Sequence, residues 1–463
     1  MHDPTDALAH QARHAGEYLV DLCSLVRVPS VSAPAFPPVE VRRGALAVAE
    51  LLERRGFEHV ALLERDGAHP CVYGDLLRDP RLPTLLLYAH YDVQPPGDER
   101  VWRSPPFDPV ERAGRLYGRG AADDKAGIVV HAAAVESWLR GRGELPLNVR
   151  LLVEGEEEVN SPHLPEFLRA YRHLLAADAL VLTDTGNIAT GWPSITTSLR
   201  GLVTIAVEVR ALARSVHSGI WGGAVPDPAL ALAFMLSSLV RSDGSIAVPG
   251  LCDQARAPSA SERRSLEQLP VTRDAFRTLA GTLPGVNLLG TKHPCEATWY
   301  APALTIDALQ ASSRDEARDV VNDRAWARVS VRLVPDMEPN EVAEKLTSAL
   351  RHATPWGLDV AFEVEAAITP WRADIEHPAF GAALRALSNG YGREALMIGC
   401  GASIGFVAPL VAALGRIPAM LVGVADPESR VHSEDESLNL RDLERATRSM
   451  ILMYAELADA LQR

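Results

Sequence analysis

The hydrophobic pattern in the first part of the chain alternates between helical and strand-like segments. Residues 43–55 carry apolar side chains at helical spacing, which predicts a helix that ends at Gly56. Residues 84–89 form a continuous apolar run, as expected of a strand that is buried on both faces. This alternation predicts an α/β fold with a mixed, mostly parallel sheet and helices on both faces. A further helix and two further strands are predicted at 126–139, 148–153 and 178–183.

The pattern changes near residue 201. Residues 203–210 and 329–334 alternate with a period of two, as half-exposed strands do, and helical patterns follow them at 227–240 and 339–352. This order predicts a small α+β domain whose sheet is covered by helices on one face. The intervening segment 252–311 is punctuated by proline and glycine and is expected to form loops or extra helices.

A buried pattern returns after residue 371. It predicts a helix at 377–388, an apolar strand at 418–424 and a long amphipathic helix at 440–461. The simplest architecture is one α/β domain that is interrupted by an inserted domain. On this interpretation, residues 1–200 and 371–463 form the α/β domain, and residues 201–370 form the inserted one.

Composition excludes several classes of protein. The 463 residues include 46 basic and 60 acidic side chains, a formal net charge of −14, without a cluster of Lys and Arg, so no nucleic-acid partner is expected. The chain opens without a signal-peptide pattern, and Arg416 and prolines interrupt the longest apolar segment, 406–424, so no membrane partner is expected. Five scattered cysteines without CxxC spacing argue against a thiolate metal site or a disulfide scaffold. The simplest expectation is a soluble cytoplasmic protein.

Acidic and histidine side chains follow several of the predicted strands. His90 and Asp92 come after the strand that ends at 89, and an acidic run at 154–158 follows the strand that ends at 153. Asp184 and His432 follow the strands that end at 183 and 424. Sites in open α/β sheets form at the carboxyl ends of strands. Carboxylates and imidazoles at one such edge suit divalent metals.

Each of these signals has a simpler alternative. A lone histidine after a strand is commonly a loop or capping residue, and glutamates at 156–158 could start a solvated helix. Asp123 and Asp124 could only cap the helix that follows them. The joint occurrence of all these residues at one expected edge favours the metal site.

Eight segments, in order along the chain, carry a resemblance to a known family. The chain resembles the M20 family of metallopeptidases over nearly its whole length, and most closely its dipeptidase branch, which includes carnosinase and cytosolic non-specific dipeptidase. The segments are His90-Tyr-Asp-Val-Gln-Pro95, Leu116-Tyr-Gly-Arg-Gly-Ala-Ala-Asp-Asp-Lys125, Glu154-Gly-Glu-Glu-Glu158, Leu182-Thr-Asp184, Leu199-Arg-Gly201, His217-Ser-Gly-Ile-Trp-Gly-Gly223, Val331-Arg-Leu-Val-Pro335 and His432-Ser-Glu-Asp-Glu436.

The resemblance implies two divalent metal ions. His90, Asp123 and Asp184 would hold one ion, and Asp123 would bridge to a second ion. Glu158 and His432 would complete the second set. Two ions, three carboxylates and a bridging hydroxide sum to a charge near zero, which limits the cost of burial. Nitrogen and oxygen donors suit Zn²⁺, the ion that we expect, and also Mn²⁺ or Co²⁺.

The resemblance also implies catalytic roles. Glu157 would be the general base that takes a proton from the bridging water and returns it to the leaving amine. Asp92 would accept the second imidazole N–H of His90 and fix its tautomer. A cis peptide bond is expected between Asp123 and Asp124.

The inserted domain carries its own implied functions. By the resemblance it is a lid and dimerisation domain, so a homodimer is expected. His217 would reach the partner's active site as an oxyanion stabiliser, and Arg332 and Ser403 would bind the substrate carboxylate. The simpler alternative for Arg332 is a surface arginine on the exposed face of its strand.

Four positions depart from the family's pattern near the expected substrate pocket. Asp319, Cys400, Gly405 and Asp435 stand where the dipeptidase branch commonly has Thr, Glu, Pro and Asn. None of the four is an implied metal ligand. The departures therefore point to intact hydrolytic machinery with an altered specificity pocket.

The leading functional prediction is hydrolysis of dipeptides or short peptides with a free C-terminus. The alternative is an amidohydrolase of the same fold that acts on N-acyl or N-carbamoyl amino acids, and a requirement for a free α-amine separates the two. A dinucleotide-binding protein that uses Gly399-Cys-Gly401 is disfavoured, because Gly405 falls one place late for GxGxxG. A non-catalytic scaffold is disfavoured because Glu157 and all five implied ligands are retained.

Overall fold

The chain forms two compact units in the computed structural model, which describes residues 2–462. Unit 1 comprises Met1–Thr197, Ala373–Ile398 and Phe406–Arg463, and unit 2 comprises Ser198–Arg372 and Gly399–Gly405. The short segment Gly399–Gly405 therefore groups with the inserted part of the chain, which the hydrophobic pattern does not predict. Over the described residues, we find no helix with the length and apolar character that a membrane span requires.

The helices and strands are numbered here in chain order. The helices are α1 (Thr5–Val26), α2 (Pro38–Arg54), α3 (Lys125–Arg142), α4 (Leu164–Ala170), α5 (Arg172–Leu175), α6 (Ser218–Trp221), α7 (Pro228–Ser237), α8 (Ala260–Glu267), α9 (Arg273–Leu279), α10 (Pro294–Trp299), α11 (Pro339–His352), α12 (Pro378–Tyr391), α13 (Val407–Ala413) and α14 (Leu440–Ala460), with a 3₁₀ turn at Glu157–Val159. The strands are β1 (Glu58–Leu63), β2 (Cys71–Leu76), β3 (Thr84–His90), β4 (Val110–Arg112), β5 (Arg115–Tyr117), β6 (Asn148–Glu154), β7 (Ala179–Leu182), β8 (Ser194–Leu199), β9 (Gly201–Arg210), β10 (Val216–His217), β11 (Ala303–Gln310), β12 (Val320–Val321), β13 (Arg324–Leu333), β14 (Asp359–Ile368), β15 (Trp371–Arg372), β16 (Leu396–Cys400), β17 (Ala419–Leu421) and β18 (Ser437–Asn439).

The predicted helices are present, and local sequence explains where they end. The helix predicted at 43–55 begins earlier, at Pro38, because proline suits the first turn, where its missing N–H has no intrahelical partner. The same helix stops before Gly56, whose φ of +96° is a conformation that favours glycine. The helix predicted at 339–352 has those bounds in α11.

The large sheet of unit 1 is mixed, as predicted. Within unit 1, strands run in the order β1-β2-β6-β3-β7-β17-β8, and β16 also pairs with β8. The central pairs β6/β3, β3/β7 and β7/β17 are parallel, and the outer pairs are antiparallel. Leu87 of β3 lies opposite Leu151 on one side and Val181 on the other, and all three are fully buried. The continuous apolar run of β3 is thus explained by its central position.

Helices cover both faces of this sheet. Leu87 and Ala89 belong to a large core cluster that also contains residues of α1, α3, α12 and α14. Tyr88 points to the opposite face, where its ring centroid lies 4.7 Å from that of Phe406 at the start of α13. A second, three-stranded antiparallel sheet in unit 1 has the order β18-β5-β4.

Unit 2 is built on a four-stranded antiparallel sheet of order β11-β13-β9-β14. Helices α7 and α11 pack on its apolar face, where Val203 and Val331 are fully buried. The predicted half-exposed face of β9 is present at Leu202, Glu208 and Arg210 but not in the middle of the strand. Thr204 on the opposite face is also fully buried, and its hydroxyl oxygen lies 3.1 Å from that of Ser330. The reason is that β9 is a central strand, with β13 and β14 on either side.

Segment 252–311 contains three short helices, α8, α9 and α10, and also strand β11. The sequence does not predict β11 or β14. Both strands lie at an edge of the four-stranded sheet, and their side chains are exposed or half-buried on both faces. Strands in such positions lack the clear apolar alternation that marks a half-buried strand.

Candidate metal centre

The candidate ligands lie at one edge of the large sheet in unit 1. His90 is the last residue of β3, and the acidic run that begins at Glu154 leaves β6 at the same level, because the register pairs His90 with Glu154. Asp184 follows β7, which is parallel to β3. Asp123 comes just before α3, and His432 lies in the loop between β17 and β18. Parallel strand ends therefore bring His90, the acidic run and Asp184 together, as the sequence pattern predicts, and two loops add Asp123 and His432.

Asp123 stands at the middle of the cluster, with one oxygen towards each histidine. Its Oδ1 lies 3.1 Å from Nε2 of His90, and its Oδ2 lies 3.0 Å from Nε2 of His432. Asp184 Oδ1 is 3.5 Å from the same His90 nitrogen, and Glu158 Oε2 is 3.1 Å from the same His432 nitrogen. The two oxygens of Asp123 thus face two separate pairs of potential ligands, which is the arrangement of a bridging carboxylate.

Glu157 also lies within reach of this cluster. Candidate ligand atoms of His90, Asp123 and Glu158 lie within 4.8 Å of one another, and so do those of His90, Glu157 and Asp184. Glu157 begins the 3₁₀ turn that follows β6. It is therefore next to the potential ligands without belonging to either pair around Asp123.

Burial and mutual repulsion shape the electrostatics of the cluster. Burial raises the pKa of Glu157 well above its usual range, and the negative charge of Asp184 raises it further. Burial likewise raises the pKa of Asp184 to about 6. Burial also acts to raise the pKa of Asp123, but hydrogen bonds with His432 and His90 outweigh it and hold that pKa low. Hydrogen bonds with Asp123 and Glu158 raise the pKa of His432 to about 10.

These residues fit a divalent metal ion. Four carboxylates converge with two imidazoles, and within residues 2–462 none of the four carboxylates forms a salt bridge with a lysine or arginine. Buried carboxylates without a cation have raised pKa values, and a bound cation removes that penalty. The donors are oxygen and imidazole nitrogen, which suit Zn²⁺, Mn²⁺ or Co²⁺.

The loop around Asp92 differs from the sequence-based expectation. The acceptor nearest to Nδ1 of His90 is the backbone carbonyl of Asp92, at 3.0 Å, whereas the Asp92 carboxylate is 3.5 Å away. That carboxylate instead accepts the backbone N–H groups of Glu157, at 3.2 Å, and Glu158, at 3.0 Å. It also accepts the hydroxyl of Ser32 at 2.7 Å. Asp92 therefore holds the turn that carries Glu157 and Glu158.

The buried Glu436 holds the loop that carries Asp123, and no role for Glu436 is predicted from the sequence. Its carboxylate accepts the backbone N–H groups of Gly120, Ala122 and Asp123, at 3.1, 2.9 and 3.2 Å. Arg119 donates to the same carboxylate at 2.7 Å. The available signal is the position of Glu436 four residues after His432. The peptide bond between Asp123 and Asp124 is cis, as expected.

The candidate substrate residues lie in unit 2. Arg332 donates from Nη1 to the hydroxyl of Ser403 at 2.7 Å, so unit 2 brings these two together. His217 caps α6, where its Nδ1 accepts the N–H of Gly219 at 3.0 Å. In the described part of the chain, His217 forms no hydrogen bond with Arg332 or Ser403.

The four departures from the family's pattern are spread over both units. In unit 2, the carbonyl of Asp319 accepts the N–H of Ser218, beside His217. Cys400 and Gly405 lie in the segment that contains Ser403. In unit 1, the buried carboxylate of Asp435 accepts the N–H of Arg103 at 2.9 Å.

Comparisons with known proteins identify the family of the chain. Residues 86–456 match the model of Peptidase family M20/M25/M40. A cysteinylglycine-S-conjugate dipeptidase of Corynebacterium striatum is 34% identical over 366 residues, 78% of each chain. A Cys-Gly metallodipeptidase dug1 of Schizosaccharomyces pombe is 30% identical over 71% of each chain. The crystal structure of human carnosine dipeptidase 1 matches with a TM-score of 0.85 and 26% identity, over 98% of this chain and 99% of that one. The chain therefore belongs to peptidase family M20/M25/M40.

Proposed function

We propose that this protein hydrolyses dipeptides with the help of two divalent metal ions held in unit 1. The observation that carries the proposal is the position of Asp123, whose two carboxylate oxygens face His90 and His432 separately. On this basis, His90, Asp123 and Asp184 hold one ion. The other ion is held by Asp123, Glu158 and His432.

Divalent ions bound there would lower the pKa of the attacking water and polarise the scissile carbonyl. Zn²⁺ is the ion that we propose. Glu157 is the proton carrier. Its carboxylate takes a proton from the attacking water and gives it to the leaving amine nitrogen when the C–N bond breaks. A carboxylate beside the attacking water can hold the proton between the two steps.

The supporting residues keep this geometry fixed. The backbone carbonyl of Asp92 accepts Nδ1–H of His90, which leaves Nε2 free to bind metal. The Asp92 carboxylate fixes the turn of Glu157 and Glu158 through two backbone N–H groups. Glu436 fixes the backbone on the other side of the cluster, at Asp123.

For the substrate, we propose that Arg332 and Ser403 bind the terminal carboxylate. A guanidinium fork next to a hydroxyl supplies several N–H and O–H donors of the kind that a carboxylate accepts. His217 is the proposed oxyanion stabiliser, acting across a homodimer. Three of the relatives described above carry names of dipeptidases, which supports a dipeptide as the substrate.

The proposed homodimer uses an apolar surface of unit 2. Leu230 and Phe234 of α7 and the nearby Trp356 are each half exposed, and the rings of Phe234 and Trp356 meet edge to face with centroids 6.1 Å apart. Contiguous exposed apolar side chains mark protein interfaces. Cytoplasmic localisation stays a prediction of the sequence.

Release of free amino acids from a pool of dipeptides tests the proposal. We expect no release by metal-stripped protein and release after addition of Zn²⁺ or Mn²⁺. Glu157→Gln, which keeps the ligand pairs intact, should bind metal normally and lower kcat by about 10²- to 10⁴-fold. Glu53→Gln, on the exposed face of α2, is the matched control and should behave as wild type.

The same assay separates dipeptidase from amidohydrolase activity. N-acetyl and N-carbamoyl derivatives of the amino acids in the dipeptide pool are offered in parallel. A folded, metal-loaded protein that cleaves these derivatives but no free dipeptide would contradict the proposal and support the amidohydrolase alternative.

A further inference from the structure

Arg200 is a buried cation without an acidic partner. It lies immediately before β9 and is only 6% exposed. Its guanidinium donates from Nη2 to the carbonyl oxygen of Ala297 at 3.2 Å, and its Nε is buried without an acceptor. Within residues 2–462, no Asp or Glu forms an ion pair with Arg200. The buried Arg119 also has an Nε without an acceptor, but Glu436 balances its charge, whereas the charge of Arg200 has no such partner.

Arg332 is the neighbouring charge. In the pairing of β13 with β9, Arg332 lies opposite Leu202, two residues after Arg200, and the positive charge of Arg332 acts on the Arg200 guanidinium. Both residues also border the segment Gly399–Gly405. The backbone N–H of Arg200 donates to the carbonyl of Ala402 at 3.1 Å, and the side chain of Arg332 donates to Ser403.

Within the described residues, no carboxylate balances the two positive charges of the pair. Burial lowers the pKa of Arg200 to about 10, and the positive charge of Arg332 lowers it further, against a smaller opposite effect of the Cys400 thiol. No carboxylate of the described chain forms a hydrogen bond or an ion pair with either guanidinium. Two uncompensated cations next to each other are unfavourable in a buried site and become favourable when an anion binds.

We propose that Arg200 and Arg332 form a paired-guanidinium subsite that binds a dicarboxylate, so that the preferred dipeptide has Asp or Glu as its C-terminal residue. This proposal rests on the proposed dipeptidase function and names its substrate class. A single carboxylate balances one of the two charges. A C-terminal residue with an acidic side chain supplies a second carboxylate and brings the sum of charges to zero.

The unused donors of the two guanidinium groups suit this assignment. Arg332 uses Nη1 on Ser403, and Arg200 uses Nη2 on Ala297 and has an Nε–H without an acceptor. Carboxylates bind arginine through parallel N–H donors, and such charge-assisted bonds are stronger than those to a neutral amide. The subsite should therefore discriminate between Glu and its isostere Gln, which has the same shape and no charge.

The test compares kcat/KM for Ala-Glu and Ala-Gln, and for Ala-Asp and Ala-Asn, with wild-type metal-loaded protein. We expect a preference of about 10- to 100-fold for the acidic member of each pair. In Arg200→Gln, kcat/KM for Ala-Glu should fall by about 10- to 100-fold more than for Ala-Gln. Arg200→Lys keeps the charge and should retain part of the preference. Arg264→Gln, which removes an exposed arginine of α8, should keep the wild-type ratio.

Two results would overturn the proposal. One is equal kcat/KM for the acidic and amide substrates in the wild type, and the other is an equal loss for both substrates in Arg200→Gln. Cleavage of neutral dipeptides with no acidic preference rejects this subsite and leaves the proposed function in place, whereas cleavage of no dipeptide rejects the function itself.

A binding measurement covers the remaining cases. This measurement is used if Arg200→Gln does not fold or if no dipeptide is cleaved. Thermal unfolding of the metal-free wild-type protein is followed in the presence of glutarate and, separately, of its half-amide, glutaramate. The subsite predicts a larger rise of Tm with the dianion than with the monoanion at the same concentration and ionic strength. Equal shifts contradict it.

Discussion

The carboxylate of Glu436 accepts a hydrogen bond from the backbone N–H of Asp123, at 3.2 Å, across 313 positions of the chain. Glu436 lies in the loop that carries His432, and Asp123 lies in the loop before α3. Arg119, which is 1% exposed, donates to the same carboxylate. One buried ion pair thus couples the loop of Asp123, the proposed bridging ligand, to the loop of His432, a proposed ligand of one ion.

Glu436→Gln should therefore weaken metal binding. The amide keeps one acceptor oxygen, so at least one of the backbone N–H groups loses its partner and the charge of Arg119 is left unbalanced. We expect a fall in metal affinity of about 10- to 100-fold and a fall in the free energy of unfolding of about 3 kcal/mol. Affinity is measured by competition with a chelating dye, below the temperature at which the variant unfolds.

The control for this variant is Glu394→Gln, an exposed glutamate of unit 1. It should leave both quantities at their wild-type values. A Glu436→Gln protein that is destabilised but binds metal with wild-type affinity would show that Glu436 supports the fold without positioning Asp123.

A second prediction concerns Asp92. Its carboxylate is closer to the backbone N–H groups of the turn that carries the proposed base than to the imidazole of His90. Asp92→Asn keeps the backbone carbonyl that accepts from His90, but its amide can no longer accept both N–H groups of the turn. We expect kcat to fall by about 10- to 100-fold with little change in metal affinity. Steady-state kinetics and metal titration on the same preparation measure the two effects.

Ser32→Ala is the graded control for Asp92→Asn. It removes one hydroxyl donor from the Asp92 carboxylate and leaves both backbone contacts, so its effect on kcat should be smaller. If Asp92→Asn instead lowers metal affinity and leaves kcat per bound metal unchanged, the carboxylate orients His90 as the sequence-based expectation holds.

How much of this site could be predicted from the sequence depends on the kind of contact. Strand ends are visible in the hydrophobic pattern, so the edge that gathers His90, Asp184 and the acidic run could be predicted. The partners of Asp92 could not, because they are backbone N–H groups whose positions depend on the path of the turn after β6. Arg200 lies in one of the eight segments that carry the resemblance, but its lack of an acidic partner is a property of the folded structure alone.

The same distinction applies to the fold. Helix α11 has the bounds that its amphipathic pattern predicts, because one face is buried and the other is solvated. Strands β11 and β14 are held by hydrogen bonds to β13 and β9 and bury little side-chain surface of their own. Backbone pairing leaves little trace in the pattern of apolar and polar side chains, so hydrophobic periodicity does not predict such edge strands.

A third prediction concerns the proposed dimer. Phe234→Glu places a charge in the apolar surface of unit 2 and should convert a dimer into a monomer in sedimentation measurements. Leu46→Glu, an equally exposed apolar position on α2 of unit 1, should leave the mass unchanged. A monomeric wild type, or a Phe234→Glu protein that stays dimeric, would contradict the proposed interface.

Mixing two inactive variants tests the role of His217 across that interface. His217→Ala and Glu157→Gln are each expected to lose activity. In a mixed dimer, one site has an intact Glu157 and receives an intact histidine from the other subunit, so mixing should restore part of the activity. Failure to restore activity in verified mixed dimers would place His217 in the site of its own subunit.

The last prediction concerns stability and pH. Glu154, at the end of β6, is 2% exposed and accepts the hydroxyl of Tyr88 at 2.7 Å. Burial raises its pKa from 4.5 to about 8. Between these pH values the folded protein keeps a proton that the unfolded chain releases, so this group lowers the free energy of unfolding as pH rises, by about 1.4 kcal/mol per pH unit.

Glu154→Gln keeps an acceptor for Tyr88 and does not titrate. The free energy of unfolding of the metal-free variant, measured with urea from pH 5 to 8, should therefore fall less steeply than that of the wild type or of Glu53→Gln. Parallel curves for all three proteins would mean that Glu154 is ionised in the folded state.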